Sequence, residues 1–119
     1  MPKRDKSNEV HKEIVKRMTD YILNNLHETL DLKQLADNAS LSCFHFHRIF
    51  TQLKGETPHN FIRRCRAEKA AKLILSQQNL FLHEIAYECG FSTQSLFVRT
   101  FRKFYGISPH EFRKTIKTI

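Results

Sequence analysis

Glycine and proline are scarce: three of each in 119 residues. So little turn-forming material argues against a chain of many short strands and for one that is mostly helix. Cysteine is scarce too. Cys43, Cys65 and Cys89 are odd in number and widely spaced, which excludes a disulfide framework and fits a reduced, cytoplasmic chain. No apolar run approaches the roughly 20 residues that a bilayer span needs, so no membrane partner is expected. The opening "MPKRDKSNEV" lacks the apolar centre of a signal peptide. Negative charge is the minority sign: 12 Asp and Glu stand against 20 Lys and Arg, for a formal net charge of +8. Such an excess favours a polyanionic partner. The length fits one small domain or two tightly joined subdomains.

What is present is a repeat. "GETPHNF" at 55–61 returns as "GISPHEF" at 106–112, with Gly, Pro, His and Phe in the same order. Arg48 and Phe50 precede Gly55 as Arg99 and Phe101 precede Gly106, and "LADNASLS" (35–42) parallels "IAYECGFS" (85–92). The offset grows by one residue near Ser92 and Thr93. A unit of about thirty residues has been duplicated, and that periodicity frames every other reading.

Helical signals follow in order. Residues 1–8 are polar and are expected to be flexible. Val10, Ile14, Met18, Ile22 and Leu26 recur every four residues, predicting an amphipathic helix over 9–26. A short helix is expected at about 32–39, then one running from an N-cap at Ser42 to about Lys54, where Gly55 supplies the C′ position. Thr57-Pro58 starts a helix to about Gln77. The second copy repeats the pattern with helices at 83–89 and 93–105, and Ser108-Pro109-His110-Glu111 reads as a capping box for the last one. The expected fold is all-α, about seven helices, with a flexible start (1–8), a first subdomain (9–57), a linker helix (58–77) and a second subdomain (78–119).

Short helix, tight turn and longer helix in each copy is the helix-turn-helix order, whose second helix enters the DNA major groove. In the first copy Phe46, Ile49, Phe50 and Leu53 form the core stripe, and in the second Phe97, Thr100, Phe101 and Phe104. Phe44, His47, Arg48 and Thr51 lie opposite the first stripe; Ser95, Val98, Arg99 and Arg102 lie opposite the second, with Gln94 at the helix start. Arg can bind guanine bidentately, Gln adenine, and an apolar group the thymine methyl. Residues 62–75 hold five basic side chains (Arg63, Arg64, Arg66, Lys69, Lys72) against Glu68, and 92–119 hold six against one. Residues 20–41 and 76–91 are acidic. Positive charge therefore gathers on and just after the proposed reading helices, where phosphates would lie.

"IAYECGFSTQSLFVRTFRKFYGISPHEFR" (85–113) resembles the signature of the AraC/XylS transcription regulators: I-A-x-x-x-G-F, an aromatic-x-R-x-F-K/R centre, then G-x-S-P-x-x-[FY]-R. "SCFHFHRIF" and "GETPHNFIRRCR" resemble the same family's first helix-turn-helix, so the likeness covers roughly residues 10–115. It implies two helix-turn-helix subdomains on a central helix, both reading helices in successive major-groove segments of double-stranded DNA, and an activator that binds as a monomer and contacts RNA polymerase. Carried over residue by residue, the base-reading positions are Phe44, His47 and Arg48, then Gln94, Ser95, Val98 and Arg99. Phosphate contacts fall to Ser42, His59, Arg63, Arg102, His110 and Arg113. MarA-like members have Trp at the Phe44 position and Gln at that of His47, and Gln and Thr at those of Ser95 and Val98. A different target sequence follows from those departures. The wording "FHFHRIF" is similar to members with a further C-terminal ligand-binding domain, so the chain is expected to be either an excised DNA-binding part or a stand-alone regulator.

Other chemistries fare worse. His45 and His47 project about 200° apart on a helix and cannot share an ion. Cys43 and His47 could, but structural zinc takes four ligands. No metal and no cofactor is expected. His59 and His110 follow helix-starting prolines without a nucleophile or acidic orienter beside them, so no enzyme is expected. Two alternatives stay open: the DNA-binding arm of a repair methyltransferase or recombinase, and a protein-contact domain acting through Glu84 and Glu88.

Overall fold

A computed structural model describes residues 6–117. Seven helices follow one another: α1 Lys6–Asn24, α2 Leu32–Asn38, α3 Cys43–Lys54, α4 Pro58–Ser76, α5 Leu82–Glu88, α6 Gln94–Tyr105 and α7 Pro109–Lys117. No strand occurs among the described residues. Residues 6–8, expected to be flexible, open α1 instead, and 1–5 lie outside the described residues. Leu26 is buried but falls past the end of α1.

Local chemistry sets the helix ends. Ser42, Thr57, Thr93 and Ser108 each accept, through the side-chain oxygen, the N–H three residues on, at 3.0–3.1 Å. Each satisfies one of the donors that a helix start leaves without an internal partner. The Ser108 hydroxyl donates in turn to Glu111 Oε1, a variant of the expected capping box in which the carboxylate returns to the hydroxyl. Gly55 and Gly106 end α3 and α6 at φ 78° and 80°, the left-handed conformation that glycine adopts at least cost.

Contacts divide the chain into two units: residues up to Asn25 with Leu30–Phe61, and Leu26–Thr29 with Ile62 onward. In the first, Val15, Met18 and Ile22 of α1, Leu35 and Ala36 of α2, and Phe46, Ile49 and Phe50 of α3 form the core. Phe50 sits between Phe46 and Phe61 with ring centres 5.7 and 5.6 Å away. Leu53 departs from expectation. It continues the apolar stripe, yet it stays 37% exposed, facing α1 across an open hollow.

The second unit buries Ala70, Ala71, Ile74, Ile85, Ala86, Cys89, Phe91, Phe97 and Phe101, with Phe112 and Ile116 of α7 packed alongside. Phe104 is half-buried and Thr100 fully buried. Arg66 fastens an early segment here: its Nε donates to the Leu26 carbonyl at 3.0 Å and an Nη to that of Glu28 at 2.8 Å. Lys69 Nζ donates to the Glu88 carbonyl at 3.1 Å.

The two inter-helix turns match bond for bond. Leu41 N–H donates to the Ala36 carbonyl at 2.9 Å, and Phe91 N–H to that of Ala86 at 3.0 Å, the six-to-one bond of a Schellman turn. Both turns need a left-handed residue. The second uses Gly90 (φ 88°), whereas the first uses Ser40 (φ 58°). Repeat alignment pairs those positions, and the difference is steric: a Cβ on Gly90 would lie 1.9 Å from the Leu26 carbonyl oxygen.

Candidate nucleic-acid interface

In the first unit the expected reading face is open. Phe44 is 76% exposed, and His47 and Arg48 are exposed beside it, while Phe46, Ile49 and Phe50 turn inward. A bare aromatic ring next to a guanidinium offers both apolar contact and bidentate donation to a base edge. Thr51 belongs to this face by spacing, but its hydroxyl donates to the His47 carbonyl at 2.7 Å, so its proton is already committed. Ser42 differs. Its oxygen accepts from His45 N–H, which leaves the hydroxyl proton free to donate outward. His45 is half-buried with its ring edge-on to His11 of α1, centres 5.4 Å apart. It therefore sits on the α1 side of α3, and His47 on the open side.

The second unit forms a concavity. Gln94, Ser95, Val98, Arg99 and Arg102 line a space of about 500 Å³ along α6. Val98 is half-buried and the other four are exposed. Arg102, expected on this face as a phosphate contact, lies on the same surface as the four base-reading positions. Their spacing of three and four residues was the available signal.

Candidate phosphate contacts carry a distinctive deficit. Arg63 Nε and Arg113 Nε and one Nη are buried without a hydrogen-bond partner. Leaving such donors unpaired costs about 1–3 kcal/mol each, more for charged groups. His59 and His110 are exposed in the first turns of α4 and α7, where the helix dipole favours an anion.

The basic run at 62–75 needs correction as a phosphate-facing surface. Arg64 is held by Glu68 at 2.6 Å, Arg66 by the Leu26 and Glu28 carbonyls, and Lys69 by the Glu88 carbonyl. Three of its five positive side chains thus have internal partners. Burial lowers the Arg66 pKa, opposed by the nearby Cys89. The acidic stretch meets the basic run: Glu84 and Glu88 line a cavity of about 630 Å³ with Lys69, Leu73, Leu80 and the exposed Tyr87.

Comparisons with known proteins agree with this geometry. A family described as a helix-turn-helix domain matches residues 35–115. The probable transcriptional regulator LumQ of Photobacterium leiognathi is 35% identical over 98 residues, which are 82% of this chain and 39% of LumQ. The bifunctional transcriptional activator and DNA repair enzyme AdaA of Bacillus subtilis is 37% identical over 105 residues, 88% of this chain and 49% of AdaA. The chain thus spans less than half the length of these curated relatives. Among solved structures, the DNA-binding domain of the transcriptional factor AdpA in complex with a target DNA superposes with a TM-score of 0.83, at 28% identity, over 87% of this chain and 93% of that one.

Proposed function

Because the chain belongs to the AraC family of helix-turn-helix transcription regulators, we propose that it reads one asymmetric DNA site with two unlike helices. The observation that carries this is the pair of open faces: Phe44, His47 and Arg48 on α3, and Gln94, Ser95, Val98 and Arg99 on α6. A palindrome needs two copies of one reader. Here a single chain carries two different ones, so a monomer suffices. Ser42, His59, Arg63, Arg102, His110 and Arg113 hold the backbone and set register without reading sequence. The protein performs no chemistry of its own, works in the cytoplasm, and raises transcription by contact with RNA polymerase.

Selection of bound duplexes from a random library tests the reading. The expected result is two unlike blocks about 10–10.5 bp apart, centre to centre. A palindromic consensus, or a single block, would overturn it. Inserting about 5 bp between the blocks turns one to the far side of the duplex and should abolish specific binding. A second reading rests on the match to AdaA: the chain is the DNA-reading part of a larger regulator that also repairs DNA. Alkyl-acceptor activity in the product of the complete reading frame would decide for it.

A further inference from the structure

Within the first unit, α1 and the end of α3 border an open hollow of about 320 Å³ that lies off the proposed reading face. Its walls are Lys12, Val15, Lys16, Thr19 and Asp20 of α1 and Leu53 and Lys54 of α3. Positions 12, 15, 16 and 19 form one stripe along α1. The volume lies at the lower end of the roughly 300–1,000 Å³ typical of small-molecule sites. We propose that it binds a small amphipathic organic anion, of the class of a medium-chain carboxylate.

Three features carry the assignment. Charge comes first: Lys12, Lys16 and Lys54 face one carboxylate, Asp20, and among the described residues neither Lys12 nor Lys16 has an ion-pair partner. The floor is apolar, made of the buried Val15 and of Leu53. Leu53 is the residue of the α3 core stripe left partly uncovered, so an aliphatic body here completes a surface the protein leaves open. Finally, Lys54 stands over the Phe61 ring at 5.0 Å with ammonium protons to spare for an acceptor, while Thr19, its hydroxyl proton spent on the Val15 carbonyl at 2.7 Å, adds no donor. Lysine stems would cover the aliphatic body while their heads meet the carboxylate. Leu53 lies nine residues, about 13 Å along the helix, from Phe44, so an occupied cavity leaves the reading face clear.

Octanoate titrated into the intact 119-residue chain and followed by amide chemical shifts provides the test, with acetate and octylammonium as controls. Saturable shifts should cluster at 12–20 and 53–54, with a dissociation constant in the millimolar range, as expected for so small a ligand. Lys16→Glu should weaken binding at least about tenfold, and Lys33→Glu, an equal charge change on exposed α2, should leave it intact. Equal effects of the two variants would reduce the phenomenon to net charge and overturn the proposal. So would matching shifts with acetate or octylammonium, shifts centred on 44–48 or 94–99, or no shifts at all.

Discussion

Replacing Gly90 by alanine isolates what a close backbone approach is worth, because the chain supplies its own controls. Gly55, Gly90 and Gly106 all sit at φ between 78° and 88°. A Cβ at Gly55 or Gly106 meets nothing within 4 Å, whereas at Gly90 it meets the Leu26 carbonyl oxygen at 1.9 Å and Arg66 Nε at 3.0 Å. The left-handed conformation costs alanine about 1–2 kcal/mol, and the stiffer unfolded chain returns about 0.4–1 kcal/mol. Gly55→Ala and Gly106→Ala should therefore lose about 1 kcal/mol each. Gly90→Ala must also push Leu26 away by about 1 Å or more, which breaks at least one of the two charged hydrogen bonds from Arg66. Such bonds contribute about 1.5–3 kcal/mol, so a total loss of about 2.5–4 kcal/mol is expected. At about 4 °C per kcal/mol, its melting temperature should fall roughly 10–16 °C, against about 4 °C for either control. Ser40→Gly, the reverse exchange, should gain about 0.5–1 kcal/mol by relieving the left-handed serine. Circular dichroism melts decide the matter. If Gly90→Ala melts with its two controls, the close approach to Leu26 is wrong.

Four further outcomes are expected. Arg48→Ala should cost about 1–3 kcal/mol of binding and relax preference within one block, while Arg63→Ala weakens all sequences about equally; identical profiles in a competition gel shift would refute the reading face. With three of the five cations at 62–75 occupied internally, roughly four neutralised phosphates remain, so log K against log salt should have a slope of about −3.6; a flat plot would refute DNA binding, and a much steeper one would mean that Arg66 or Lys69 leaves its carbonyl partner. Phe101→Ala should destabilise by about 3–5 kcal/mol, read by urea denaturation, since the ring is fully buried between Phe97 and Phe112. Burial pushes the Cys89 thiol from 9.0 up to about 11, against the pull of Lys69; a raised folded value stabilises below the unfolded pKa, so stability should decline as pH rises from about 9 towards 11, and Cys89→Ala should flatten that slope, leaving the part due to Tyr105, which burial also raises.

Helix order, caps and stop residues were legible because each depends on neighbours in sequence. Ser42, Thr57 and Ser108 cap as their spacing to the next apolar stripe requires, and Gly55 and Gly106 close the helices they follow, whereas Thr93, expected inside the helix at 93–105, is its N-cap. The exposed faces of α3 and α6 were legible for the same reason: periodicity that buries Phe46 and Phe50 must turn Phe44 and Arg48 outward. Leu53 was not, since the period tells which face a residue occupies and not how far the covering elements reach. Three-dimensional partners were hidden as well. Nothing local to Arg66, Arg64 or Lys69 separates an arginine bound to a carbonyl from one awaiting phosphate. Nor does "LHET" at 26–29 reveal that it belongs with residues 62 and beyond.

That last placement bears on how the protein can be taken apart and how it is made. Leu26–Thr29 is synthesised some forty residues before Arg66 and more than sixty before Gly90, so the second unit cannot be assembled while only its own stretch of chain emerges. Its opening piece must wait for a late one, a loop closure whose entropy cost grows only slowly with length. A fragment cut at residue 62 would be a different object from the second half of this molecule. Arg66 would lose both of its carbonyl acceptors, and Gly90 would have no neighbour to accommodate. In such a fragment the alanine exchange at Gly90 should become as mild as at Gly55, because what makes that glycine necessary lies more than sixty residues earlier in the chain.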